Sequence, residues 1–85
     1  MVNDKENLKK RLIYRSQYRG TKEMDKLIGS FVQINIDRFD VKELKELEKF
    51  LNFEDEIIFN FYQFNIIKNN IDKNEVSKLF KDFKI

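Results

Sequence analysis

Three arginines follow one another at a spacing of four residues near the start of the chain. They are Arg11, Arg15 and Arg19, and Gly20 comes directly after the last. A spacing of four places side chains on one face of a helix, and the planar guanidinium binds carboxylates and phosphates through two parallel hydrogen bonds. Glu23 adds a carboxylate three residues beyond the glycine. The combination predicts a surface that recognises a partner.

The rest of the composition argues against catalysis. The 85 residues include neither histidine nor cysteine, so the commonest general base, the thiol nucleophile and the thiolate metal ligands are absent. There is no glycine-rich phosphate loop, and Asp37, Asp40 and Asp55 lack the spacing of a calcium loop. We predict no catalytic, metal-binding or cofactor-binding residue, and we do not expect an enzyme.

Length and charge set the broad class. A chain of 85 residues predicts one domain over residues 1–85. Its 17 basic and 15 acidic residues give a net charge of +2, which is too balanced to indicate nucleic acid by itself. No apolar run could span a membrane, and the N-terminus resembles neither a secretory signal nor a transit peptide. We expect a monomer in the bacterial cytoplasm, without membrane insertion.

Apolar residues recur at intervals of three and four, which predicts an all-α fold, a compact bundle of five short helices. The first should run from Asn3 or Asp4 to about Tyr18, and the second from about Lys22 to Asn35. Gly20 should end the first helix in a left-handed conformation, and Thr21 should cap the second. Capping-box patterns then start the third helix at Asp40 with Glu43 and the fifth at Asp72 with Glu75.

The predicted core follows from the apolar stripes of these helices. The stripes comprise Met24, Leu27, Ile28, Phe31 and Val32; Val41, Leu44, Leu47 and Leu51, with Phe50 beside them; and Val76, Leu79, Phe80 and Phe83. The fourth helix has aromatic residues all round, so either it is central or one aromatic face is meant for a partner. A central position is favoured, with some of Phe59, Tyr62 or Phe64 partly exposed. Gly29, in mid-helix, would be explained by a close helix–helix contact or by tolerated drift alone.

Several interpretations stay open at this level. Arg15 and Arg19 either extend over the edge of the core or lie on a docking surface. The carboxylates at positions 54–56 suit a helix N-terminus, a basic partner, or Arg15 or Arg19 of the same chain. A basic first helix with Tyr14 and Tyr18 allows nucleic-acid binding, whereas a rigid corner rich in arginine and tyrosine favours a protein-interaction adaptor.

The five residues from Arg19 to Glu23 form the pattern R-G-x-x-E after a basic helix that contains tyrosine. In this position the pattern resembles the hallmark of the SdhE-type proteins, the bacterial relatives of succinate dehydrogenase assembly factor 2. The resemblance extends over residues 11–25, 55–61 and 74–83, and so covers nearly the whole chain. Thr21 stands where many relatives have methionine.

This resemblance implies a function. Such proteins are five-helix assembly factors that bind the flavoprotein subunit of succinate dehydrogenase, in some bacteria also that of fumarate reductase, and promote covalent attachment of FAD. FAD would act through this client and would not be bound stably by the factor itself. The resemblance assigns the partner-binding motif to Arg19, Gly20 and Glu23, with secondary contacts at Arg11, Tyr14, Arg15, Asp25 and Asp55. Alternatively, Arg19 and Glu23 pair with each other and only brace the turn.

Overall fold

The computed structural model describes residues 4–84, and every regular element in that range is helical. The helices are α1 (Asp4–Gln17), α2 (Lys22–Asn35), α3 (Val41–Leu51), α4 (Asp55–Phe64) and α5 (Glu75–Lys81). Single 3-10 turns, Ile36–Arg38 and Ile71–Lys73, precede α3 and α5. The predicted all-α bundle of five short helices is confirmed. The expectation that Asn3 caps α1 falls outside the described residues.

Three phenylalanines form the centre of the core. Phe31 of α2, Phe50 of α3 and Phe80 of α5 are each at most 1% exposed, and their ring centroids lie 5.1 to 6.2 Å apart. Burial of one such ring contributes on the order of 2 to 3 kcal/mol. Aliphatic side chains complete the core, namely Leu12, Ile28, Val32, Leu44, Leu47, Ile58, Ile71 and Val76.

The middle of the bundle belongs to α3, which packs against both α1 and α5. Helix α4 packs mainly against α5 and buries only Ile58 and Phe61. The central position predicted for α4 was therefore wrong, although its aromatic side chains are partly exposed as expected: Phe59 is 40% and Phe64 62% exposed. Aromatic residues surround α4 although only one face of the helix, with Phe61, is buried in the core. Phe59 and Phe64 lie on its exposed side.

The helix starts agree with the sequence at α2 and α3. Thr21 Oγ1 accepts a hydrogen bond from the backbone N–H of Met24 at 3.3 Å. Asp40 and Glu43 form the predicted capping box, with both reciprocal side-chain bonds present. These contacts fix where the chain turns into each helix, because they satisfy backbone donors that have no partner inside the helix.

The predicted start of α5 was wrong. Asp72 lies inside a 3-10 turn, and Asn74 caps the helix by accepting from the Ser77 N–H at 2.8 Å. The Asn74 amide also donates to the Glu46 carbonyl of α3 at 2.9 Å. An amide can accept and donate at once, so asparagine both caps α5 and ties it to α3.

Two residues of the predicted stripes lie at the surface. Val41 is 51% and Leu79 50% exposed. Val41 is the first residue of α3 and precedes the part of that helix that meets the core. On α5, Val76 and Phe80 share the buried face, and Leu79 lies about 100° away from Phe80 around the helix.

Gly29 marks the close approach of α1 and α2, so of its two explanations the close helix–helix contact is the one observed. A Cβ added there would lie 3.2 Å from Gln17 Cγ and 3.7 Å from the Ser16 carbonyl. The C-terminal end of α1 and the middle of α2 therefore lie close together next to the corner that joins the two helices.

Within residues 4–84, no helix is both long and apolar enough to cross a membrane.

Candidate functional site

The corner between α1 and α2 turns at Gly20. Its φ of +138° is a conformation that L side chains rarely adopt, and a Cβ added there would have no atom within 4 Å. Glycine is therefore required by the backbone, as expected, and not by crowding within the chain. Because Gly20 is also exposed, another molecule can approach the main chain closely here.

Arg19 points inward from this corner. Its Nε donates to Asp55 Oδ1 at 2.6 Å, Nη1 to the Leu51 carbonyl at 2.8 Å, and Nη2 to the Phe53 carbonyl at 2.5 Å. The Arg19 side chain is only 10% exposed and that of Asp55 25%. All three guanidinium nitrogens are thus engaged inside the protein.

The surroundings of Arg19 suit a cation. Leu51 ends α3, where unpaired carbonyls carry partial negative charge, and Asp55 begins α4, where a carboxylate is favoured. Arg19 bonds to both helix ends at once, so it fastens the α1–α2 corner to the α3–α4 turn. Of the interpretations left open for the carboxylates at 54–56, two are observed for Asp55: it lies in the first turn of α4, and it pairs with Arg19 of the same chain.

Asp25 holds the corner from the other side. Its Oδ1 accepts a hydrogen bond from the backbone N–H of Arg19 at 2.6 Å, and Asp25 lies in the first turn of α2. We refer to Arg19, Asp25 and Asp55 as the corner brace. The resemblance placed all three among the partner-binding residues; in the structure their polar groups are bonded to the chain itself.

Glu23 points the other way. It is exposed, and no hydrogen bond or ion pair of its carboxylate is found among residues 4–84. The alternative in which Glu23 pairs with Arg19 is wrong, because the Arg19 guanidinium is directed at Asp55 and two carbonyls. Glu23 and Gly20 are therefore the members of the motif that remain available to a partner.

Arg11 and Arg15 of α1, with Arg19 two residues beyond the end of that helix, form a ladder across to α3, the turn after it and the start of α4. Arg11 Nη2 lies 3.2 Å from Glu48 Oε2, and Arg15 Nη2 donates to Asn52 Oδ1 at 2.6 Å. The Arg19–Asp55 pair is the third rung. The spacing of four thus meets positions 48, 52 and 55. A pairing of the carboxylates at 54–56 with Arg15 or Arg19 was one of the interpretations left open by the sequence, whereas the contacts at positions 48 and 52 were not predicted.

Tyr14 and Tyr18 lie beside this arginine ladder. Their ring centroids are 4.6 Å apart, and they are 64% and 68% exposed. Tyrosine is enriched at protein interfaces, so this exposed pair favours a binding surface. Tyr18 follows the last residue of α1, and its ring contacts that of Tyr14 at an angle of 32°.

Two grooves of about 390 Å³ each adjoin the corner brace. The tyrosine groove is lined by Tyr14, Arg15, Tyr18, Arg19, Leu51, Asn52 and Phe53. The acidic groove is lined by Thr21, Glu23, Met24, Asp55, Glu56 and Phe59. Each contains one member of the Arg19–Asp55 pair, whose charges cancel. The tyrosine groove therefore keeps the positive charge of Arg15, and the acidic groove keeps the negative charges of Glu23 and Glu56.

Three residues that line these grooves were not predicted from the sequence as part of the site, namely Asn52, Glu56 and Phe59. For Asn52, the available signal was its place four residues after Glu48, which matches the arginine spacing. Glu56 and Phe59 lie three apart on α4 and so share a face, but only the fold shows that this face adjoins Thr21. All three residues come from the α3–α4 region, which is distant in sequence from the motif.

Comparison with known proteins shows to which family the chain belongs. The family Sdh5, described as "Flavinator of succinate dehydrogenase", matches residues 10–84, which include the whole motif and both grooves. The chain belongs to this family. The resemblance seen in the sequence, based on the R-G-x-x-E pattern and the plan of the helices, is thereby confirmed.

Relatives that this chain resembles come from both eukaryotes and bacteria. Succinate dehydrogenase assembly factor 2, mitochondrial, of Dictyostelium discoideum is 37% identical over 60 residues, 71% of this chain and 43% of that protein. FAD assembly factor SdhE of Acetobacter pasteurianus is 43% identical over 47 residues, 55% of this chain and 43% of that protein. In both, the match spans less than half of the relative's length.

Proposed function

We propose that this protein binds the flavoprotein subunit of succinate dehydrogenase and promotes covalent attachment of FAD to it. The observation that carries the proposal is the exposed Gly20 corner, held rigidly by the corner brace and flanked by two grooves of opposite charge. Membership of the Sdh5 family and the names of its relatives support this choice of client. The flavoprotein of fumarate reductase is a second client of the same kind.

The mechanism we propose is conformational. The chain has no histidine or cysteine, so the nucleophile for flavin attachment would have to belong to the client. Docking of a preformed corner would favour the client conformation in which flavin and nucleophile are aligned, because a ligand shifts an equilibrium towards the state that it binds better. Alignment of reacting groups alone accelerates a reaction by orders of magnitude. The factor would therefore act without being an enzyme.

FAD is proposed to stay with the client. The acidic groove keeps the negative charges of Glu23 and Glu56, which would repel the diphosphate of a flavin dinucleotide. The tyrosine groove offers Arg15 but no run of backbone N–H groups of the kind that binds phosphates. A titration of FAD with the isolated protein, followed by flavin fluorescence, should show no saturable binding at micromolar concentrations.

The proposal includes a location and an oligomeric state. The Acetobacter relative is bacterial, and we assign this chain to a bacterial cytoplasm as a monomer. The Dictyostelium relative, which is named as mitochondrial, defines the other compartment in which the same client would be met. Cell fractionation and light scattering test these two points.

The test of the proposed function is reconstitution with Gly20→Arg. Purified protein is mixed with the apo flavoprotein subunit and FAD, and covalent flavin is followed by in-gel fluorescence. Flavinylation should depend on the wild-type protein and be lost with Gly20→Arg, because an arginine side chain would project into the space that the client approaches. The variant should stay folded, since only backbone strain of about 1 to 3 kcal/mol is added at an exposed position.

Gly20→Ala is the matched control for that strain. It requires the same unusual φ but adds only one methyl group, so it should retain more of the activity than Gly20→Arg. Normal flavinylation with Gly20→Arg would show that this corner is not the docking site. A flavoprotein that is flavinylated equally well without any added factor would reject the proposed function itself.

A further inference from the structure

The middle rung of the arginine ladder differs from the other two. Arg11 faces Glu48 and Arg19 faces Asp55, so a carboxylate neutralises each of them. Arg15 faces Asn52, whose amide oxygen accepts one hydrogen bond at 2.6 Å but carries no charge. Asparagine thus fixes the direction of the Arg15 guanidinium and leaves its positive charge uncompensated.

The remaining donors of Arg15 are free to bind another group. An arginine has five N–H donors, and the bond to Asn52 is the one hydrogen bond of its side chain found among residues 4–84. Arg15 is half-buried, so part of its hydration is already removed. A fixed and partly dehydrated guanidinium binds a carboxylate more strongly than a mobile exposed one, because less entropy and hydration are lost on binding.

The lining of the tyrosine groove selects the chemistry of its occupant. None of the residues that line it within the described range is acidic, so Arg15 has no competitor from its own chain there. The rings of Tyr14 and Tyr18, which are in contact and tilted by 32° to each other, form an exposed aromatic wall next to the guanidinium. Such a wall suits the carbon atoms of a protein side chain, while the guanidinium suits its carboxylate.

We propose that Arg15 binds an aspartate or glutamate side chain of the client flavoprotein, and that Tyr14 and Tyr18 cover the carbon atoms beside that carboxylate. This inference rests on the proposed function, because it takes the flavoprotein as the client. It adds a specific contact that lies outside the R-G-x-x-E motif and is contributed by the opposite groove. The carboxylate of the client would enter the tyrosine groove, while Gly20 would contact the main chain of the client.

The first test compares Arg15→Gln and Tyr18→Ala with Lys10→Gln. Lys10 is exposed on α1 and lies about 140° around the helix from Arg15, so its loss removes the same charge from another face. Affinity for the apo flavoprotein subunit is measured by interferometry at low and high salt. Arg15→Gln and Tyr18→Ala should each bind about tenfold more weakly, whereas Lys10→Gln should bind like the wild type.

A second test in the same binding assay uses Asn52→Asp, which keeps Arg15 unchanged. The new carboxylate would neutralise Arg15 from within the chain and repel the carboxylate of the client. We expect Asn52→Asp to weaken binding about as much as Arg15→Gln and to reduce its dependence on salt, because the interaction lost is between charges. Circular dichroism and thermal melts should show that each variant folds like the wild type.

The outcomes separate this inference from the proposed function. If the wild type binds the flavoprotein and the Arg15 and Asn52 variants bind equally tightly, the carboxylate site is wrong and the proposed function stands. If Lys10→Gln loses as much affinity as Arg15→Gln, only overall charge matters and the site is again wrong. Failure of the wild type to bind the flavoprotein rejects both. If a single-stranded oligonucleotide bound more tightly than the flavoprotein, and this binding depended on Arg15, the group bound by Arg15 would be a phosphate of the nucleic-acid backbone. The carboxylate site would then be wrong.

Discussion

Arg19 and Glu23 belong to the same five-residue motif, yet the structure uses them in opposite directions. The Arg19 side chain is 10% exposed and bonds to Asp55 and to two carbonyls. Glu23 is exposed on the rim of the acidic groove. Arg19 therefore stabilises the corner from within the chain, whereas Glu23 lies at the surface beside it and is available to a partner.

This difference changes how a loss of activity is to be interpreted. A substitution at Arg19 would act through the position of the α1–α2 corner, and so through stability as well as docking. A substitution at Glu23 would leave the corner intact and remove only a surface group. Measurements of folding and of flavinylation on the same variants can therefore separate the two halves of the motif.

The largest effect is expected for Arg19→Ala. It would leave the Asp55 carboxylate and two carbonyls without their partner in a place that is mostly buried. Removal of one member of such a buried pair costs about 3 to 5 kcal/mol, and partial exposure of Asp55 places the expectation near the lower value. Urea denaturation should show this loss of free energy of unfolding.

Arg11→Ala is the control for Arg19→Ala. Arg11 also forms an ion pair from α1, but its side chain is 62% exposed and that of Glu48 38%. Exposed ion pairs contribute about 1 kcal/mol or less, so the midpoint of urea denaturation should shift little in Arg11→Ala. Equal destabilisation by the two variants would mean that the brace does not support the corner.

A smaller effect is expected for Asp25→Ala. The carboxylate accepts the Arg19 backbone N–H at 2.6 Å, and loss of such a charge-assisted bond costs about 1 to 2 kcal/mol. Asp25→Asn keeps an acceptor oxygen and should lose about half as much. If Asp25→Ala were as stable as the wild type in urea, the bond to Arg19 would have no part in holding the corner.

Much of the fold could be predicted because the relevant signals are local. The apolar stripe of α2, the Asp40–Glu43 capping box and the cap at Thr21 depend on residues within one or two turns of each other, and all are observed. The start of α5 was wrong because Asn74 competes with Asp72 as the cap. Asn74 succeeds through its bond to the Glu46 carbonyl, and that contact with α3 exists only after the chain has folded.

The site was predictable only in part for the same reason. Composition and spacing identified the corner at Gly20 and the arginines of α1. They could not distinguish the inward-facing Arg19 from Arg15, because the spacing of four predicts both on the same face of the first helix, whereas α1 ends at Gln17. The distinction comes from positions 52 and 55, where an asparagine and an aspartate meet them.

The smallest effect on stability, and the sharpest contrast with the brace, is expected for Glu23→Gln. The substitution keeps the size of the side chain and removes a charge that has no partner among residues 4–84. The free energy of unfolding should change by no more than about 0.5 kcal/mol, while flavinylation of the flavoprotein should fall severalfold at limiting factor concentration. Lys22→Gln, at the neighbouring exposed position of the motif, serves as the control and should leave both quantities unchanged. If Glu23→Gln instead destabilised the fold as much as Asp25→Ala, Glu23 would belong to the brace, and the division of the motif into an inward and an outward half would be wrong.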